Sequence, residues 1–189
     1  MTWNLTNVVP GEWYQAAAYA GTVTFMTRWP AFGGFTNFQI TGDCFIEGGT
    51  WTHPANSGGA NQADRLMVTV GGSLEIGVGG AINVNGRGFA NALGPGHGNN
   101  IQRYNSGGQS ASYGGWGAYD GATNHSLTYG SIVTPTNLGS GASGAGGGAV
   151  ELRVRGTGTI EGAISANGIS TTGLQPSGSG GSVYLVAGA

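Results

Sequence analysis

Three short segments of this chain superimpose without a gap, and that limits what it can fold into. They lie within residues 38–49, 67–78 and 151–162, and each reads apolar-x-Gly, three residues, then Ile. The anchors are Ile40/Gly42/Ile46, Val70/Gly72/Ile76 and Val154/Gly156/Ile160. The first two copies are 30 residues apart (Ile40 to Val70) and the third follows 84 later (Val70 to Val154). A partial fourth copy, GSVYLVAG, matches GAVELRVR with Val183 against Val150, and INVNG at Ile82–Gly86 is echoed by ISANG at Ile164–Gly168. Asn-Gly is a tight-turn dipeptide because both residues tolerate positive φ. Repeats of this length signal stacked units. Each unit holds strands of four or five residues with glycine corners, and none holds the 10 or more periodic residues of a helix. The expected fold is therefore all-β: a right-handed parallel β-helix (β-solenoid), one turn of chain per layer, with layers about 4.8 Å apart.

The alternation assigns the faces. Val68, Val70, Leu152 and Val154 should point inward, and Thr69, Glu151, Arg153 and Arg155 outward. Cys44, Leu74 and Gly158 become equivalent inward positions, making Cys44 a buried filler. Residues 1–20 read as an irregular N-terminal cap, with a helical turn within Glu12–Ala20 suggested by three consecutive alanines. Residues 21–189 form the solenoid domain. The 84-residue gap fits one ordinary layer plus a long glycine-rich lateral insertion at about 87–146, the expected seat of any contact.

Composition narrows the function. The 189 residues include 41 glycines, and only 7% are charged, yet aromatics reach 10%, which favours order over glycine-rich disorder. There is no lysine, and the net charge of −2 lacks the clustered basic face of a nucleic-acid binder. No apolar run approaches a membrane span, so neither nucleic acid nor membrane insertion is expected. One cysteine excludes an intrachain disulfide and any multi-cysteine metal site. The N-terminus has neither the basic start nor the apolar core of a signal peptide. The expectation is a mature or excised segment, continuing in the natural protein beyond the strand-like GGSVYLVAGA.

Motifs with chemical meaning are sparse. Gly139–Gly144 spells G-x-G-x-x-G, but no strand immediately precedes it and no helix follows. Asp120, His125, Ser126 and His97 could be drawn as a triad, but G-x-S-x-G is missing and exposed loop residues explain them better. His53, His97 and His125 are too scattered for a metal, and no cofactor is expected. Glu47 and Glu75, if on adjacent layers, could lie roughly 5–7 Å apart, near the separation of a retaining glycosidase pair; a solvated face is the favoured reading. Trp29, Trp51, Tyr104, Tyr113, Trp116 and Tyr119 fall in turns or in the insertion rather than on inward strand positions. Rings so placed either stack on a partner or cover the solenoid flank. Tyr113, Trp116 and Tyr119, three apart in SYGGWGAYD and flanked by glycines, are the expected binding residues.

GPGHG, GGQSASYGGWG, YGSIVTPTNLGSGASGAGGGAVELRVRGTGTIEGAISANG and GSGGSVYLVAG together resemble the glycine-rich β-helical segments of very large bacterial secreted and surface proteins. The resemblance spans about Leu66 to Ala189. Trp116 and His97 stand where those segments commonly carry small or basic residues. It implies a non-catalytic structural or adhesive module of a larger extracellular or cell-surface protein. The partners it suggests are a polysaccharide or cell-surface glycan, and neighbouring copies or domains of the same protein. The alternative is a polysaccharide-active lyase or glycosidase, or a carbohydrate-binding module, on a parallel β-helix.

Overall fold

The structure is a computed structural model that describes residues 1–3, 6–98, 108–118, 126–172 and 175–188. Strands come in two sheets, and every strand pairing is parallel. The larger sheet holds β1 (Thr2–Trp3), β3 (Trp13–Gln15), β4 (Thr22–Phe25), β6 (Cys44–Thr52), β8 (Leu74–Asn83), β10 (Gly158–Ile160) and β11 (Ala163–Ser165). The smaller holds β2 (Val8–Val9), β5 (Phe38–Ile40), β7 (Leu66–Val70), β9 (Ala149–Val154) and β12 (Ser182–Ala187). The chain passes repeatedly from one sheet to the other, and each pass lies in register beside the last, an arrangement consistent with a parallel β-solenoid.

The register follows the repeat residue by residue. Ile40 pairs with Val70 and Val70 with Val154. Cys44 pairs with Leu74 and Leu74 with Gly158. Ile46 pairs with Ile76 and Ile76 with Ile160. Val150 pairs with Val183, and Ile82 with Ile164. In a parallel sheet equal positions stack on equal positions, so one apolar residue per layer becomes a continuous column. These columns form a single core that includes Val23, Ile40, Cys44, Ile46, Val68, Val70, Leu74, Ile76, Ile82, Leu152 and Val154. The buried Cys44 thiol is pushed far above its ordinary pKa by desolvation, which keeps it protonated and inert.

Two expectations are corrected. Residues 12–20 form no helix: Trp13–Gln15 is a strand paired with Cys44–Ile46, and the alanines after it make only a single turn closed by Tyr19 N–H on the Ala16 carbonyl at 2.9 Å. The apolar column draws Trp13 into a cluster with Trp3, Phe25, Phe38 and Trp51, outweighing the helix propensity of three alanines. Nor does Trp51 lie in a turn. It is an inward strand residue with 0% exposure, its ring 4.6 Å from Phe25 and 5.6 Å from Trp13. Burying an indole requires a partner for its N–H. Gln15 provides one: its Oε1 accepts Trp51 Nε1–H at 3.0 Å, while its amide donates to the Gly48 carbonyl. Gln15 takes the inward position that Ile46 occupies in the next layer, and it too is buried.

Outward positions are not all exposed, and Glu151 is the buried charge among them. Glu151 pairs with Arg65 at 3.0 Å and with Arg153 at 2.7 Å, and Arg65 in turn covers the Trp29 ring at 4.9 Å. Burial lowers the Arg65 pKa, and the Glu151 carboxylate works against that.

Candidate functional site

Between β8 and β9 the described residues form no named strand. The chain nevertheless packs closely, by a different means. Backbone segments lie side by side and bond to one another: Gly88 N–H donates to Gly146 O, Phe89 N–H to Gly139 O, Gly139 N–H to Gly147 O and Gly147 N–H to Ser179 O. The segments are too close for side chains. A Cβ built on Gly146 would overlap the Gly139 carbonyl, and one on Gly181 would overlap the Gly148 carbonyl. A small side-chain cluster of Phe89, Leu138 and Ala149, with Trp29 and Leu93 against it, fixes this shell to the sheets. His53 adds a buried link. Its Nδ1 lies 2.7 Å from the Pro54 carbonyl and its Nε2 accepts Ala149 N–H at 3.3 Å, so the ring is neutral with its proton on Nδ1.

Two of the expected binding residues, Tyr113 and Trp116, lie on this shell and take different roles. The Tyr113 ring turns down and meets Tyr129 edge to face at 4.9 Å. Its hydroxyl ends near Ser182 and the Asn137 carbonyl without forming a well-aligned hydrogen bond, and burial raises its pKa. Tyr129 donates to the Leu138 carbonyl and accepts from Ser140 Oγ at 2.8 Å, and burial pushes its pKa up to about 12. Trp116, by contrast, is 71% exposed. Tyr119, Tyr104, Asp120 and His125 lie outside the described residues.

Tyr113 and Trp116 border one cleft of about 330 Å³ with Ala111, Gly114, Gly115 and the backbone of Ser179–Gly181. Past Tyr113, a second cleft of about 190 Å³ is bordered by Gly114, Thr128, Tyr129, Gly130, Ser131 and Ile132. Among the described residues, neither is lined by a carboxylate, imidazole or thiol. This arrangement can stack a flat apolar face on one indole and bond polar groups to backbone. Tyr129 was not legible in the sequence, because its partner is set by how the shell folds back.

Glu47 and Glu75 lie on directly paired strands but not opposite each other: Glu75 is in register with Phe45 and Thr159, and Glu47 follows two residues further along its strand. Among the described residues no group of three His, Cys, Asp or Glu side chains could hold a metal ion, and no helix is long and apolar enough to cross a membrane.

A second surface stands out at the end of the sheets where β10, β11 and β12 each pair on one side only. Ile160 and Leu185 are 38% and 36% exposed, while Ile76 and Leu152, their equivalents one strand earlier, are 0% and 1%. Val183 and Val186 are also exposed on β12. Compared with protein-family models, curated proteins and solved structures, the chain matches none.

Proposed function

We propose that this chain is a right-handed parallel β-solenoid with a glycine-rich lateral insertion, and that it serves as a non-catalytic structural and adhesive module of a larger extracellular or cell-surface protein. The observation that carries the reading is the uncovered layer formed by β10–β12. Apolar residues that are sealed in every layer below are open there, beside two rows of unpaired backbone donors and acceptors. Such an edge is a template for pairing, and a parallel one is continued by another parallel edge. A neighbouring solenoid end, from a copy or an adjoining domain, meets both requirements. The insertion, with Trp116 outermost, is the adhesive surface in this reading, and repetition along a larger protein would multiply a weak contact into avidity.

Sedimentation and light scattering over a wide concentration range test the end-on contact. The expected result is concentration-dependent association that Leu185→Arg abolishes while leaving circular dichroism unchanged. A wild-type protein that stays monomeric and soluble at millimolar concentration defeats the reading. A screen on plant, algal and bacterial polysaccharides tests the non-catalytic part, since any turnover abolished by Glu47→Gln or Glu75→Gln contradicts it.

A further inference from the structure

We propose that a polar groove on the outer face of the larger sheet is a binding site for a short uronic-acid-containing saccharide. The groove has a volume of about 390 Å³ and is lined by Thr22, Thr50, Thr52, Asn83, Asn85 and Arg87. That volume falls within the roughly 300–1,000 Å³ of small-ligand clefts. It shares no lining residue with the clefts beside Tyr113 and is independent of the end-on contact.

Strand alternation builds the groove. Val23, Trp51 and Ile82 point into the core, so the residues flanking them point out. Thr22 lies in register with Thr50, setting two hydroxyls one strand spacing apart. Thr52, 3% exposed, forms the floor. The wall is the turn after β8, where Arg87 N–H returns to the Val84 carbonyl at 3.2 Å and Gly86 takes φ 65°. That turn sets Arg87 at the rim.

The polar groups are unevenly committed. Asn83 Oδ1 accepts Asn85 N–H at 3.0 Å, and Asn85 Oδ1 accepts Asn167 N–H at 2.6 Å. Both carboxamide oxygens are thus engaged by backbone, while their NH2 groups have no partner among the described residues. The Thr22 and Thr50 hydroxyls make no hydrogen bond there either. Arg28, Arg65 and Arg153 are each paired with a carboxylate. Among the described residues Arg87 is not, and no carboxylate lines the groove. Free donors, free hydroxyls and one unpaired guanidinium together match a polyol with a single carboxylate. The guanidinium fork engages a carboxylate through two parallel bonds, and the threonines and asparagines engage ring hydroxyls. With no aromatic wall and a wet rim, affinity should be weak, with a Kd on the order of 0.1–1 mM.

The experiment is an amide-resolved NMR titration of the whole chain with an α-1,4-linked galacturonate trimer. Arms with the neutral galactose trimer, a sulfated trisaccharide and sodium acetate run alongside. The expected result is saturable shifts at Thr22, Thr50, Asn83, Asn85 and Arg87 with the uronate alone. Arg87→Gln should weaken it at least tenfold, and Thr50→Val several-fold, at unchanged melting temperature. Arg155→Gln, which removes another exposed arginine with no carboxylate partner, should change nothing. Four outcomes overturn the proposal: equal binding of the neutral trimer, equal binding of the sulfated one, displacement by equimolar acetate, or shifts that survive Arg87→Gln.

Discussion

The two halves of this molecule exclude water in opposite ways. In the parallel sheets, side chains fill the interior: Trp51, Phe25, Ile46 and Leu74 stack in columns and the backbones stay apart at strand spacing. In the glycine-rich shell, backbones themselves are the filling, and Gly139, Gly146, Gly147 and Gly181 touch neighbouring carbonyls where a Cβ would stand. The first kind of interior gains from apolar burial and opens cavities when trimmed. The second has little to trim. It gains from hydrogen bonds, each worth only about 0.5–1.5 kcal/mol net, against the high ordering entropy of glycine. Low charge and abundant glycine therefore describe two different solids in one chain.

The contrast is most sharply tested by removing the largest core side chain. Trp51→Ala should cost about 3–5 kcal/mol, since it empties the centre of the aromatic cluster and strands the Gln15 carboxamide. Chemical denaturation measures it, and a loss below about 1 kcal/mol would mean that the columns do not carry the sheets.

Acid should act next, through the link between the halves. His53 is buried and neutral, and desolvation lowers its pKa from 6.5 to about 4. The unfolded chain takes up this proton first, so stability is complete above about pH 6.5 and falls as pH drops toward 4. At about 1.36 kcal/mol per unit, the loss is about 3 kcal/mol. Denaturation at stepped pH against His53→Leu isolates the contribution, because the variant lacks this slope.

Gly146→Ala comes third, at about 1–3 kcal/mol. One methyl group suffices because the atom it meets is backbone that cannot rotate away. Hydrogen exchange should show the damage confined to amides of the shell, such as Gly88, Phe89 and Gly139, with the sheet amides protected as before. Smallest is Trp116→Ala. A residue 71% exposed should change stability by less than about 0.5 kcal/mol, whereas Tyr113→Ala, which breaks the Tyr129 pair, should exceed that. Parallel thermal melts decide, and equal losses would put both rings in the same structural role.

Legibility in the sequence divides along the same line. The repeated columns were readable to the residue, because a stacked column needs the same kind of side chain at the same offset; Ile46, Ile76 and Ile160 announce it, whereas the strands within residues 1–20, which carry no copy of the repeat, were not. Trp51 escaped because its column changes residue size, from Val23 through Trp51 to Ile82, so no repeat marks it. The shell was readable only as composition. Which glycine faces which carbonyl is decided over distances such as Gly147 to Ser179, and a residue without a side chain carries no face. The aromatic triplet in SYGGWGAYD illustrates the limit: equal spacing set the Tyr113 ring against Tyr129 and left Trp116 71% exposed.

The place of the shell in the chain also sets an order of assembly. Successive early layers close over about 30 residues, Cys44 onto Leu74, whereas Leu74 onto Gly158 closes over 84. Loop-closure entropy grows only logarithmically, so the longer closure adds about 0.9 kcal/mol to the barrier. The larger delay is structural, since β9 is seated partly by the His53 bond to Ala149 and by the Phe89–Leu138–Ala149 contacts. The early layers thus wait as an open template while the glycines find their partners. In a cell, that pause is when an exposed parallel edge is most available to a chaperone, or to the wrong chain.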